Sequence, residues 1–126
     1  MKISQLNHVA LHVNDVDASV QFYRDVLGLR PMPRPDFDFP GAWFEIAPAT
    51  QTAPPQELHL IGRMPENEMP PRERHFAMLV TSMPEAEKHL RERGVAFKGP
   101  NRRPDGAMQI FLRDPDAHVI ELCSQP

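Results

Sequence analysis

One pattern of apolar and polar residues is written twice along this chain, and a repeat of that length constrains the fold more than any single motif in it. Residues 6–13 alternate as a strand, with Leu11 and Val13 on one side and His8, Ala10 and His12 on the other. Asn14 or Asp15 then caps a helix carrying Val16, Val20, Tyr23 and Leu27 on one stripe, which stops at Gly28. The pattern returns at residues 75–80 as a second strand. Ser82 to Glu85 forms a capping box with Pro84 in its first turn, and a helix with Ala86 and Leu90 on its apolar stripe ends at Gly94. His75 and Gly94 follow His8 and Gly28 at nearly the same distance along the chain. Three short strands are predicted after each helix: 30–34, 42–46 and 57–61 in the first copy, 95–98, 108–113 and 118–123 in the second. The expected unit is strand, helix, strand, strand, strand, used twice.

Composition narrows what such a fold can serve. At 126 residues the chain is expected to form one domain, with a first module over 1–64, a connector over 65–73 and a second module over 74–126. The connector is polar and rich in proline, as an exposed link requires. A net charge of -3, with no basic run longer than Arg102 and Arg103, excludes the phosphate-binding footprint of a nucleic-acid protein. No apolar stretch is long enough to span a bilayer, and the first residues lack the apolar core of a secretory signal. The one cysteine, Cys123, has no partner for an internal disulfide, so the expected compartment is the cytoplasm.

Strand parity assigns the chemistry to one face. A helix laid on a sheet demands apolar residues beneath it, and Val9, Leu11, Val13, Leu58, Leu60, Phe76, Met78, Val80, Ile120 and Leu122 meet that demand in four strands. Their opposite faces carry His8, His59, His75 and Glu121. A polar group withdrawn from water without a partner costs about 1–3 kcal/mol, and a shared metal ion would satisfy all four. Imidazole and carboxylate suit zinc, nickel, cobalt, manganese or iron. A single histidine of this kind is more often hydrogen-bonded or solvated than a ligand; four at matching places in a repeat carry more weight. His59 and Glu121 correspond only approximately, because their separation is a few residues shorter than that of the other paired positions.

The strings NHVALHV, DVDASVQFYRDVLGL, ELHLI, RHFAML and RDPDAHVIEL, which together extend over essentially the whole chain, resemble the vicinal oxygen chelate superfamily, also called the glyoxalase/bleomycin resistance/dioxygenase group. The resemblance implies an α+β fold of two βαβββ modules whose mixed sheets, backed by helices, curve into a cup. It implies metal ligands at His8, His75 and Glu121. His59 occupies the remaining ligand strand, where glyoxalase-like members often have Glu or Gln, and is either a fourth ligand or an uncoordinated base. Ala117 stands where the closing turn usually has Gly, a position less comfortable for a residue with a Cβ if φ is positive.

The implied chemistry is a glyoxalase-like or epimerase-like lyase or isomerase, in which two neighbouring oxygens of a small substrate bind the metal as an enolate or enediolate develops. Glu121 or His59 is the candidate base for removing a proton beside a carbonyl. Three alternatives compete. An extradiol ring-cleaving dioxygenase uses the same two His and one Glu, but generally with further modules and an active-site Tyr, whereas Tyr23 lies on a helix. A fosfomycin-type thiol transferase shares the triad, with a thiol co-substrate such as glutathione neither indicated nor excluded. A metal-free drug- or metabolite-binding resistance protein is disfavoured by the retained ligand set. Trp43, Phe44 and Phe111 are candidate pocket residues in competition with a core role. Arg102 and Arg103, in a loop between strands, are candidates for clamping a carboxylate or phosphate. His12 and His118 stay outside the ligand set, and Cys123 reads as a small packed residue rather than a nucleophile. A homodimer is expected from the family and from the commonness of two-fold assemblies.

Overall fold

The computed structural model describes residues 2, 4–63 and 74–126 and is an α+β arrangement of two four-stranded mixed sheets with two helices. The chain divides into two compact units, Met1–Glu68 and Met69–Pro126. The predicted connector, 65–73, lies outside the described residues.

The first unit contains β1 (His8–His12), α1 (Val16–Gln21), β2 (Arg30–Met32), β3 (Gly41–Ala47) and β4 (Gln56–Ile61), in sheet order β1-β4-β3-β2. Strands β1 and β4 run parallel; β3 is antiparallel to both β4 and β2. Asp15 caps α1, its side chain accepting from the Ala18 N–H at 3.0 Å, which satisfies one of the donors a helix leaves open at its start. The predicted helix does not run on unchanged to Gly28. From Phe22 to Val26 it widens into a π-helical turn that buries Tyr23 completely, and Gly28 ends it at a φ of 70°. The core of this unit is Val13, Tyr23, Phe44, Leu58 and Leu60, and α1 packs on β3 and β4.

The second unit repeats the plan with β5 (His75–Leu79), α2 (Met83–Glu92), β6 (Phe97–Arg102), β7 (Met108–Arg113) and β8 (Val119–Cys123), in order β5-β8-β7-β6. Ser82 caps α2 by accepting from the Glu85 N–H, Pro84 sits in the first turn, and Gly94 closes the helix at a φ of 67°. Leu90, Ile110, Leu112, Ile120 and Leu122 are buried. Strand β6 extends further than predicted. Expected to end at residue 98, the strand passes on through Gly99, Pro100 and Asn101 by a bulge between Lys98 and Asn101. A side chain at Gly99, whose φ is 105°, would fall on the Gln109 carbonyl oxygen. Arg102 therefore ends a strand, paired with Met108, instead of lying in a loop.

Ala117 adopts a φ of 65° in the turn before β8. Asp114 holds that turn by accepting from the N–H groups of Asp116 and His118, each at 2.9 Å, while Arg113 donates to the Ala117 carbonyl. Among the described residues no helix is long and apolar enough to cross a membrane.

Candidate functional site

The strand register makes the two units' polar faces equivalent position by position. In the first, Ala10 of β1 lies opposite His59 of β4, which lies opposite Trp43 of β3. In the second, Ala77 of β5 lies opposite Glu121 of β8, which lies opposite Phe111 of β7. His8 and His75 begin the two leading strands. His59 and Glu121, which matched only approximately in sequence, thus occupy the same place in their sheets; the loops before them differ in length, whereas the ladders do not.

In the first unit His59 is the centre of a stack. Its ring lies parallel to Trp43, with centroids 3.8 Å apart and 2° between planes, and against His8 at 4.2 Å and 15°. Each such contact contributes about 0.5–1.5 kcal/mol beyond burial. The edge of the His59 ring is held too: Nε2 is 2.6 Å from the Glu57 carboxylate. An ionised carboxylate only accepts, so Nε2 carries a proton, which in the neutral ring leaves the lone pair on Nδ1. His8 is more exposed and places Nδ1 2.8 Å from Asn7 Oδ1. An amide oxygen also only accepts, which leaves the lone pair of His8 on Nε2.

In the second unit Glu121 is the buried member, its side chain only 5% exposed. Burying a carboxylate is costly unless it is hydrogen-bonded, and Glu121 has partners on both oxygens. Gln109 Nε2 donates to Oε1 at 2.7 Å, and His75 Nε2 lies 3.0 Å from Oε2. Phe111 meets the His75 ring edge-on at 5.6 Å. Arg103 reaches to 4.0 Å from Glu121 Oε1, but its main engagement is a two-pronged pair with Asp105 at 2.6 and 2.8 Å. That guanidinium holds the Asp105 carboxyl down at about 2, and Asp105 in turn raises Arg103.

Two participants are not singled out in the sequence. Glu57 shares a face with His59 two residues on, and Gln109 shares one with Phe111; the alternation that picks out His59 and Phe111 applies to both. Gln109 has no counterpart in the first unit, where the equivalent register position is Gly41, across from Ile61 as Gln109 is from Cys123. A side chain at Gly41 would fall on the Leu60 carbonyl oxygen. Phe44 is not a pocket residue: it is fully buried on the helix-side face against Tyr23, the rings 6.1 Å apart. Cys123 packs with its Sγ 3.7 Å from the Met78 carbonyl, and burial, with the Glu121 charge beside it, pushes the thiol up, away from nucleophilic character.

Among the described residues no group of three or more His, Cys, Asp or Glu is gathered at metal-binding distance. The site residues occur as contacting sets within each unit: His8, His59 and Glu57 in the first, His75 and Glu121 in the second. A cavity of about 790 Å³ opens on the second unit, lined by His75, Phe97, Lys98, Phe111, Arg113 and Val119 among others.

Residues 5–122 match the family model described as Glyoxalase/Bleomycin resistance protein/Dioxygenase superfamily. The chain is 32% identical to Glyoxylase I 4 of Arabidopsis thaliana over 131 residues, which covers 98% of this chain and 72% of that protein. It is 28% identical to lactoylglutathione lyase of Salmonella typhimurium, covering 94% of this chain and 90% of the other. A solved structure, a putative glyoxalase family protein from Bacillus anthracis, aligns with a TM-score of 0.80 over 100% of this chain and 98% of that one. At 22% identity that likeness bears on the fold alone.

Proposed function

Because the chain belongs to the Glyoxalase/Bleomycin resistance protein/Dioxygenase superfamily, we propose that it is a metal-dependent lyase or isomerase, acting on a small substrate with two neighbouring oxygens by removing a proton beside a carbonyl. The observation that carries this reading is the register equivalence of His59 and Glu121, each in contact with the histidine that opens its own unit. The donor chemistry fits a divalent cation: imidazole and carboxylate groups that share one sheet face within each unit, already oriented by outer partners. His8, His75 and Glu121 would hold the ion, with His59 either a fourth ligand or the base. When bound, the ion supplies Lewis-acid stabilisation of negative charge developing on the substrate oxygens, worth several kcal/mol.

The chain's own residues do the rest. Asn7 fixes the His8 tautomer so that Nε2 is the free donor atom, and Gln109 holds one oxygen of Glu121 in place. Glu57 fixes the His59 tautomer in the same way, which makes His59 Nδ1 the atom that takes the substrate proton if His59 stays uncoordinated. Trp43 keeps the ring from swinging. The same reading makes the protein a cytoplasmic homodimer, testable by light scattering on the eluted species.

Elemental analysis of wild-type protein beside His8→Ala and His75→Ala, each as isolated and after reconstitution, tests the metal. Stoichiometric ion in the wild type and its loss in both variants is the expected result. Nickel, cobalt or zinc then directs assays to lyase and isomerase substrates. Iron directs them to catechol cleavage. Wild-type protein that binds no ion under any condition overturns the proposal in favour of a metal-free binding protein.

A further inference from the structure

The cavity on the second unit opens over the same sheet face that carries His75 and Glu121. Register lays that face out in rows. His75, Val119 and Arg113 lie side by side across β5, β8 and β7; Ala77, Glu121, Phe111 and Lys98 form the next row, ending on β6. Four of these residues, with Asn101, line the cavity as well as His75: Lys98, Phe111, Arg113 and Val119.

Its lining is lopsided in charge. Lys98 and Arg113 are there and no acidic residue is, although the chain as a whole carries a net charge of -3. Arg24, Arg63, Lys88, Arg91 and Arg103 each have a carboxylate within 4.0 Å, whereas among the described residues the two cations of the cavity do not. Arg113 donates only to the Ala117 carbonyl, which leaves its charge uncompensated, and among the described residues nothing pairs with Lys98. The carboxylate that register puts on this face, Glu121, is engaged by Gln109 and His75. Phe111, opposite Lys98, and Val119, opposite Arg113, add apolar surface beside the two cations. A site of this size with an aromatic wall and a few placed polar groups has the make-up of a small-molecule site, and its unanswered cations select for negative charge.

We infer that this cavity binds a small organic acid, with its carboxylate on Lys98 and Arg113 and its apolar body against Phe111 and Val119. This names the substrate class of the site proposed above and rests on that reading for its catalytic meaning, but the binding itself needs only residues of the second unit. A 2-hydroxy or 2-oxo acid with an apolar side group combines the anion, the neighbouring oxygens and the body that the lining matches.

Mandelate, methyl mandelate and lactate separate these contributions, each titrated into metal-free and metal-loaded protein by calorimetry and by amide chemical shifts. The expected order in metal-free protein is mandelate about ten-fold tighter than its uncharged ester, which lacks the charge-assisted bonds, and tighter than lactate, which lacks the ring. Shifts are expected at Lys98, Phe111 and Arg113, and added salt weakens the acid more than the ester. Lys98→Met is expected to lose about ten-fold for mandelate and nothing for the ester, with Lys98→Arg restoring most of the loss. Arg113→Met serves as a second variant, checked by circular dichroism because it also removes the bond to the Ala117 carbonyl. Equal affinity for acid and ester, mandelate shifts that fall elsewhere, or no mandelate binding up to the millimolar range overturns the inference. A protein that holds metal but shows no preference for the acid refutes this inference alone. A protein that prefers the acid but never holds metal refutes the metal reading alone.

Discussion

His59 illustrates how far one side chain's role depends on what surrounds it. Alternation along a strand identifies it as a polar residue on a face otherwise opposite the core, and nothing more; the stack on Trp43 and the bond to Glu57 turn it into an oriented base or ligand. Neither partner is adjacent in sequence to the feature that makes it matter. Glu57 was within reach of the same parity argument, whereas the role of Gln109 depends on a register across β7 and β8 that only the folded sheet sets. Arg103 shows the opposite case. A candidate, with Arg102, for clamping a carboxylate or phosphate, it is engaged here by a carboxylate of its own chain, Asp105. The Asp105 carboxyl sits at about 2 against an ordinary 3.8, so the pairing contributes stability above pH 3.8 that is lost as pH falls towards about 2. A carbon-detected titration of Asp105 should show its midpoint near 2 in wild-type protein and back in the ordinary range in Arg103→Ala. An unchanged midpoint would dissociate the depression from the guanidinium.

Elements were more legible than contacts. Both helices, their caps and their glycine ends follow from spacing, because an amphipathic stripe with Asp15 or Ser82 before it and Gly28 or Gly94 after it has few other ways to satisfy its backbone. What escaped were departures from ideal geometry: the π-helical turn that seats Tyr23, and the bulge that carries β6 through a Gly-Pro pair. In both, tertiary packing overrides a local preference, and no local pattern announces it. Ala117, where the family usually has Gly, suggests a turn of another kind, yet the turn before β8 keeps a positive φ there. An alanine in that region costs about 1–2 kcal/mol, partly offset by the greater chain entropy that glycine loses on folding. Ala117→Gly should therefore stabilise the protein by about 0.5–1 kcal/mol, raising the melting temperature by roughly 2–4 °C. A lower melting temperature would mean that the bonds from Arg113 and Asp114 have already absorbed the strain.

For the molecule as a whole, duplication supplied both the plan and its asymmetry. The two units place equivalent strands in the same order but furnish them differently, His59 against Glu121, Trp43 against Phe111 and Gly41 against Gln109. If one ion draws ligands from both units, it binds the folded chain and stabilises it by mass action, by about 2.7 kcal/mol when its free concentration is a hundred times the dissociation constant. Thermal unfolding with added ion should then shift upward in wild-type protein, with the shift abolished by His8→Ala and by His75→Ala alike. A shift lost in only one variant would place the ion within a single unit. One consequence of the first unit's stack concerns light rather than binding. Trp43 is the chain's single tryptophan and lies face to face with His59. An excited indole responds to whatever lies against its face. The ultraviolet emission of the entire protein is thus a built-in gauge of whether the His59 ring keeps its place, changing when an ion or a ligand draws that ring off the indole, with no label attached.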